Sequence, residues 1–286
     1  MDQKIIDLYD DFTHGDMNRR SFLDRLTSMA GSAAAAAAML PLLQNNYAIA
    51  QTVPESDQRI SVETVQVPGG QPGLKGYLAK SRNASGKLPT VLVIHENRGL
   101  NPHIQDVTRR MATDGFVALG LDFLSPAGGT PTDEDKGREM IGQLKMPEVI
   151  GNAQAAIAFL MSRPDGNGKA GAMGFCWGGG VVNNLAVADP KLAAGVAYYG
   201  RQPNAAEVPK IKAAMLLHYG GLDQGINQGI PPYEAALEQA GTTYELHVYE
   251  GANHAFNNDT NAARYDKAAA DLAWGRTVAW LKKHVG

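Results

Sequence analysis

The sequence contains very little cysteine: Cys176 is the single one among 286 residues. An intrachain disulfide framework is therefore excluded. Four histidines stand near predicted strands or loops without the spacing of metal ligands: His95, His103, His218 and His247. His14 and His284 lie near the termini, where we expect them to be solvated. From these absences we expect no metal and no cofactor.

A strong charge imbalance is absent as well. Lys and Arg number 26 against 29 for Asp and Glu, a net charge of −3, so the composition does not suggest a polyanionic partner such as nucleic acid. Internal repeats are absent, and no second domain boundary is visible within residues 55–286. The chain therefore suits a one-domain enzyme acting on a small molecule, and no pattern points to a particular oligomeric state.

Short apolar runs separated by helix-length segments predict the fold class. Five nearly continuous runs are typical of buried parallel strands: Thr90–Ile94, Val117–Leu121, Ala170–Phe175, Gly195–Tyr199 and Ala213–Leu217. Two alternating runs, Ile60–Val67 and Leu74–Lys80, flank a Pro-Gly-rich turn and predict an antiparallel hairpin at the sheet edge. Helices are expected near residues 103–114, 147–162, 178–188, 232–240 and 262–283. The prediction is an α/β fold with a mostly parallel, twisted sheet and helices on both faces.

Residues 174–179, Gly-Phe-Cys-Trp-Gly-Gly, place Cys176 between glycines, after an apolar run and before a helix-like one. This pattern is typical of a nucleophile elbow, a strained strand-to-helix turn that needs small neighbours two residues before and after the nucleophile. Cysteine at a helix N-terminus is favoured as thiolate, its reactive form. The competing interpretation is a buried cysteine that serves as a small hydrophobic side chain.

Two later residues complete a candidate triad in the order nucleophile, acid, histidine. The predicted strand Ala213–Tyr219 opens into a glycine-rich turn with Asp223, and the strand Tyr244–Tyr249 leads into a loop with His254. Each alone has an ordinary explanation: an aspartate closing an Asx turn, or a loop histidine bonded to backbone. Their order and their positions after strands favour a Cys-His-Asp triad on an α/β-hydrolase fold of about eight strands.

The first 52 residues have two interpretations. Asn18-Arg19-Arg20-Ser21-Phe22-Leu23, followed by the uncharged stretch Gly31–Leu43, is typical of a twin-arginine export signal cleaved after Ala50, which predicts a periplasmic protein. The stretch is too short and too alanine-rich for a stable membrane span. Six aspartates near the paired arginines depart from the pattern: Asp2, Asp7, Asp10, Asp11, Asp16 and Asp24.

The second interpretation is a retained N-terminal helical arm on a cytoplasmic protein. Ile5, Leu8, Tyr9 and Phe12 recur at helical spacing. Such spacing predicts an amphipathic helix that packs on the domain at 55–286. The sequence leaves both interpretations open.

Together the motifs resemble a known family. The elbow at Cys176, the run His95-Glu96-Asn97-Arg98-Gly99-Leu100-Asn101, the strand end Tyr198-Tyr199-Gly200, Asp223 and His254 look like dienelactone hydrolase, also called carboxymethylenebutenolidase. The resemblance covers residues 60–286. Its most specific elements are the cysteine elbow, which separates it from serine esterases, and the Glu-x-x-Gly-Leu-Asn run. It implies a hydrolase that opens a lactone or cleaves a small carboxylic ester without a cofactor.

The resemblance also implies residue roles. Glu96 would contact the resting thiol and help it to ionise when substrate arrives; the alternative is an exposed glutamate at the start of a loop. The backbone N–H groups of Asn97 and Trp177 would form the oxyanion hole. Cys176 would attack the carbonyl and pass through a thioester, while His254 moves the protons.

The sequence says less about the substrate than about the reaction. The family's enzyme holds a substrate carboxylate with two arginines, and Pro126 and Asn258 stand at those positions here. Arg98 or Arg201 would have to replace them, although a surface position explains Arg98 equally well. Four aromatic residues suit either a pocket wall or the core: Phe123, Trp177, Tyr199 and Phe256. A broad carboxylesterase or thioesterase, and a non-catalytic binding protein of the same fold, are the alternatives.

Overall fold

An eight-stranded sheet forms the centre of the protein, in the order β1-β2-β4-β3-β5-β6-β7-β8. The computed structural model describes residues 1–15, 17–49 and 51–286, so Asp16 and the predicted cleavage position Ala50 lie outside the described residues. The strands are β1 (Ile60–Gln66), β2 (Lys75–Ser81), β3 (Leu88–Ile94), β4 (Val117–Asp122), β5 (Gly166–Phe175), β6 (Ala194–Tyr198), β7 (Ala214–Gly220) and β8 (Tyr244–Tyr249).

The pairing of the strands confirms the predicted topology. β1 pairs antiparallel with β2, which in turn pairs antiparallel with β4. All other neighbours are parallel. The predicted edge hairpin and the α/β-hydrolase fold class are therefore confirmed.

Ten helices surround the sheet in the described part of the chain. They are α1 (Gln3–His14), α2 (Arg19–Ala30), α3 (Ala33–Leu43), α4 (Pro102–Thr113), α5 (Glu134–Gly142), α6 (Met146–Ser162), α7 (Trp177–Ala188), α8 (Gln224–Asn227), α9 (Ile230–Ala240) and α10 (Lys267–Val285). The predicted helix near 262–283 begins later than expected, because Asp266 accepts a hydrogen bond from Ala269 N–H and caps α10.

The two faces of the sheet carry separate cores. Val91 and Val93 of β3 pack against apolar side chains of α4 and α10, whereas Leu92 and Ile94 pack with those of α6, α7 and α9. This alternation follows from the two-residue period of a strand. Because the parallel strands run the same way, the segments after β3, β5 and β7 meet at one edge of the sheet, where the candidate residues lie.

The N-terminal helices α1, α2 and α3 form a small cluster of their own. Ile5, Leu8, Tyr9 and Phe12 of α1 are buried, and they pack with apolar side chains of α2 and α3. The amphipathic pattern of residues 5–12 thus corresponds to a helix with a buried face.

Helix α2 begins inside the predicted arginine motif. Asn18 accepts a hydrogen bond from Ser21 N–H and caps the helix, and Arg19 forms an ion pair with Asp135 of α5. Among the described residues no single helix has the length and apolarity of a membrane span. In the described part of the chain, one pair of segments, Arg19–Ala30 and Ala33–Ile49, together reaches that length and composition, with a bend of 114° between them.

Candidate active site

Cys176 lies on a sharp turn between β5 and α7. Its backbone angles, φ 54° and ψ −114°, are unusual for a residue with a side chain. A Cβ on Gly174 would stand 2.3 Å from the carbonyl oxygen of Gly178, and a Cβ on Gly178 would stand 2.4 Å from that of His95. The turn therefore admits only glycine at these two positions, as the elbow pattern predicts.

Asp223 and His254 meet at the ends of two different strands. Asp223 caps the short helix α8 with Oδ1, while Oδ2 lies 2.5 Å from Nδ1 of His254. Since the carboxylate only accepts, Nδ1 carries a hydrogen, and Nε2 faces away from Asp223. The structure thus brings the two predicted residues together in the expected orientation.

His254 is buried and lies beside Cys176. A ring nitrogen of His254 stands within 4.8 Å of Sγ, and Nε2 has no hydrogen-bond partner among the described residues. Burial disfavours the charged imidazole, but the negative charges of Cys176 and Asp223 outweigh this effect and raise the pKa of His254 well above its usual value. The site therefore favours the protonated imidazole at His254.

Glu96 follows β3 and is buried against the same edge. Its Oε2 atom accepts a hydrogen bond of 3.0 Å from Nδ2 of Asn258, while Oε1 has no partner among the described residues. The structure therefore excludes the exposed-loop interpretation of Glu96. It also gives Asn258, one of the two positions without arginine, a defined contact. The role of Glu96 toward the thiol stays a prediction.

Asn97 follows the end of β3, and Trp177 is the first residue of α7. Within the described part of the chain, neither backbone N–H donates to a backbone carbonyl. The oxyanion-hole role of these two N–H groups stays a prediction. The Asn97 side chain is engaged elsewhere, because Nδ2 donates to the carbonyl oxygen of Thr13 at 2.7 Å.

Arg98 is buried, so its interpretation as a solvated surface residue is wrong. Its Nε atom lies 3.1 Å from Oε2 of Glu134, and Nη2 donates to the hydroxyl of Tyr9 at 3.0 Å. Arg201, the other arginine considered as a substrate contact, is exposed. A substrate role for either arginine stays a prediction.

The predicted pocket aromatics occupy different places. Phe123 and Phe256 are fully buried in the core, and Trp177 stacks on His95 with 5.3 Å between ring centroids. Tyr199, also buried, lies 4.9 Å from the His254 ring. Burial raises the pKa of the Tyr199 hydroxyl well above its usual value, with help from the negative charges of Glu96 and Cys176. Tyr199 therefore stays protonated beside the histidine.

His14 is the residue that sequence reasoning missed at this site. It keeps contact with solvent, as expected near a terminus, yet its Nε2 atom lies 3.1 Å from Sγ of Cys176. His14 is exposed at the end of α1, but desolvation by the neighbouring protein groups and the positive charges of His254 and Arg264 lower the pKa of His14 well below its usual value. His14 is therefore neutral where it contacts the thiol.

Helix α1 is held over the site by polar contacts at its C-terminal half. Asp10 forms an ion pair with the buried Arg264 through Oδ1 and Nη1 at 2.7 Å. The Arg264 guanidinium also stands over the Tyr9 ring, 5.1 Å from its centroid. The sequence feature that could have predicted this contact is the four-residue spacing of Asp10 and His14, because residues at that spacing lie on one face of a helix.

Comparisons with known proteins agree with the geometry. Residues 74–285 match the model of the dienelactone hydrolase family, and residues 1–31 match a second family described as YqhI-like. A Methylorubrum extorquens protein, provisionally named carboxymethylenebutenolidase, is 34% identical over 218 residues, which is 70% of this chain and 73% of that protein. The hydrolase fragment YghX of Escherichia coli K12, also provisionally named, is 49% identical over 111 residues, 38% of this chain and 95% of the fragment.

A crystal structure from Klebsiella pneumoniae, described provisionally as a dienelactone hydrolase, superposes with a TM-score of 0.72 at 28% identity. The match covers 78% of this chain and 99% of that one. The family match at residues 74–285 includes strands β2 to β8, while β1 and the segment matched as YqhI-like lie outside it.

Proposed function

The chain belongs to the dienelactone hydrolase family and is a hydrolase, and from that premise we propose that it opens lactones or cleaves small carboxylic esters through Cys176, His254 and Asp223. One observation carries the proposal: a cysteine on a strand-to-helix elbow lies beside a histidine whose Nδ1 is bonded to a carboxylate at 2.5 Å. Nucleophile, base and orienting acid are the parts that acyl transfer needs.

In the proposed reaction the Cys176 thiolate attacks the carbonyl carbon of the substrate. The N–H groups of Asn97 and Trp177 stabilise the oxyanion of the tetrahedral intermediate. His254 gives its Nε2 proton to the leaving alkoxide, which departs from an ester or stays tethered in an opened lactone. The resulting thioester is hydrolysed by a water that His254 deprotonates, with Asp223 holding the ring in place.

The substrate preference follows from the polar groups around the site. Asn258 donates to Glu96 instead of presenting a cation, and Pro126 lies in the short turn Ser125–Ala127. Arg98 is engaged by Glu134 and Tyr9. These contacts support a second candidate function next to dienelactone hydrolysis. It is a broader carboxylesterase without a preference for substrates that carry a carboxylate.

The test is hydrolysis of cis-dienelactone and of a short-chain p-nitrophenyl ester by wild type, Cys176→Ala and a His247→Ala control, with a chelator present. Cysteine-dependent opening of the lactone supports the family's reaction, and cysteine-dependent cleavage of the ester alone supports the broader esterase. Hydrolysis at wild-type rates by Cys176→Ala would overturn the mechanism. Failure of wild type on both substrates, and on a wider ester panel, would favour the binding-protein alternative.

We also propose that residues 1–49 stay attached in the working protein, because α1 contacts Cys176, Asn97 and Arg264. Periplasmic export by the twin-arginine route stays a separate prediction. Sequencing the N-terminus of protein recovered from each cell fraction tests both points. Recovery of active protein lacking residues 1–50 would overturn retention.

A further inference from the structure

The mechanism above leaves one close contact unused. His14 Nε2 lies 3.1 Å from Sγ of Cys176, and the His14 and His254 rings meet edge to face with 4.4 Å between centroids. One ring nitrogen of each histidine and the sulfur all lie within 4.8 Å of one another. Three side chains that can each bind a metal ion thus lie close together, although they are far apart in the sequence.

When both imidazoles are neutral, the lone pair of each is on Nε2. Nδ1 of His14 lies 3.0 Å from the carbonyl oxygen of Asp10, which can only accept, so Nδ1 carries the hydrogen and Nε2 is the free acceptor. Asp223 fixes His254 in the same tautomer. Histidine ligands of metals are held in this way, with Nδ1–H given to a carbonyl or a carboxylate.

We propose that His14, Cys176 and His254 form a binding site for one divalent transition-metal ion of the zinc type, with a water molecule as the fourth ligand. Two imidazole nitrogens and one thiolate are a donor set that zinc prefers, and three protein ligands with one open position are common for this ion. The buried Nε2 of His254 has no partner among the described residues, so a ligand there would satisfy it.

The spacing of the donor atoms suits such an ion after a small adjustment. Tetrahedral zinc has bonds of about 2.0–2.1 Å to nitrogen and about 2.3 Å to sulfur, which places its ligand atoms roughly 3–4 Å apart. The contact of 3.1 Å between His14 and Cys176 falls in that range. His14 is the last residue of α1, and the two distances to the His254 nitrogen, each within 4.8 Å, would adjust on binding.

Binding would have two consequences for the protein. Metal binding releases to solvent the one proton that Cys176 and His254 share, because both the sulfur and the ring nitrogen must be deprotonated to bind the ion, and the sulfur lone pair that attacks a carbonyl is then shared with the ion. The same ion also joins α1 to the elbow across 162 residues of sequence. A bound metal therefore blocks the proposed thiol reaction and fastens the N-terminal arm. Metal binding itself does not depend on Cys176 being the nucleophile.

The site is tested on the full-length chain after treatment with a chelator. Cobalt(II) is titrated as the probe, and its absorption is followed for a thiolate-to-metal band, with equilibrium dialysis against zinc to count ions per chain. Wild type should bind one ion with that band. His14→Ala should weaken binding by more than the roughly 10–100-fold that is lost when a residue hydrogen-bonded to a metal ligand is removed. His247→Ala, which removes an imidazole outside the site, should bind as wild type does.

Two further variants make the result decisive. Cys176→Ala should lose the thiolate band, and His14→Gln, which keeps a polar side chain at the end of α1, should weaken binding as His14→Ala does. Thermal melting of the metal-free variants checks that each is folded. Binding of less than one ion, a cobalt spectrum without the thiolate band, or equal affinity in His14→Ala and His247→Ala would overturn the proposal. Because no substrate is used, this result is independent of the hydrolysis assay.

Discussion

Asp10 of helix α1 and Arg264, which precedes helix α10, form an ion pair of 2.7 Å that is buried on the arginine side. The guanidinium is only 3% exposed, whereas Asp10 remains partly open to solvent. A buried charge that loses its partner is costly, so this pair specifies where α1 docks. Because His14 lies one turn further along the same helix, the pair also determines what covers Cys176.

Breaking this pair should expose the thiol. Asp10→Asn keeps the shape of the side chain but leaves Arg264 unpaired, and we expect it to weaken docking of α1 by about 1–2 kcal/mol. Alkylation of Cys176, the only thiol in the chain, should then be faster. The matched control is Asp11→Asn, an exposed position on the same helix. Equal alkylation rates in the two variants would mean that the ion pair does not hold α1.

Asp223→Asn separates catalysis from folding. Asparagine still caps α8 through the contact that Oδ1 makes with Ile226 N–H, so the melting temperature should stay close to wild type. The amide cannot accept from Nδ1 of His254 through its nitrogen, and the histidine loses its orientation and its charge partner. We expect kcat to fall by roughly 10³-fold or more. A rate within a few-fold of wild type would show that Asp223 is only a cap.

The glycines of the elbow should be sensitive to a single methyl group. In Gly178→Ala the new Cβ would meet two backbone carbonyls of the β3 end, which cannot move independently of the sheet. We expect a loss of about 3 kcal/mol in the free energy of unfolding, measured by urea denaturation. Gly151→Ala in α6 has open space around it and should be neutral or stabilising by about 0.5–1 kcal/mol. Equal stabilities would mean that the close approach at Gly178 can relax.

Asp259 should contribute to stability only above acidic pH. Burial opposes its charge, but His103 at 3.1 Å and Arg110 outweigh burial and lower the pKa of Asp259 to about 2. A carboxyl with a lowered pKa in the folded state stabilises the protein above its unfolded value of 3.8, and this contribution is lost as the pH falls toward 2.

Asp259→Asn should therefore lower the free energy of unfolding at neutral pH by about 1 kcal/mol, after allowance for partial exposure. The decline of this free energy in acid, measured by urea denaturation, should be flatter than in wild type. Asp271→Asn, at an exposed pair on α10, is the control and should leave the acid profile unchanged. If the acid profile of Asp259→Asn matched that of wild type, the native pKa would not differ from the unfolded one.

The sheet and its carboxyl edge follow from the sequence because they depend on local patterns. Strands such as Thr90–Ile94 are continuous apolar runs. The glycines around Cys176 indicate a turn that has no room for a Cβ atom at their positions. The order of Cys176, Asp223 and His254 then places three side chains at one edge, and the structure brings them together. These features need no knowledge of distant contacts.

The contacts of α1 could not be predicted in the same way. Periodicity in residues 5–12 shows that one face of the helix is apolar, but it does not say which surface covers that face. The partner of Asp10 is 254 positions away, and that of His14 is 162 positions away. No local propensity relates residues at such separations, so the sequence presents His14 as a polar residue near a terminus.

The first turn of α7 is in close contact with the ends of three strands. Gly178 lies against the backbone at Ile94 and His95, and Gly179 lies against that at Tyr198 and Gly200. The sulfur is therefore fixed by the central sheet, whereas the groups opposite it, residues 9–14 and 253–264, belong to a helix end and to loops. Under the proposed mechanism, substitutions within those two segments that keep His254 would change what the site accepts, while the sulfur keeps its place.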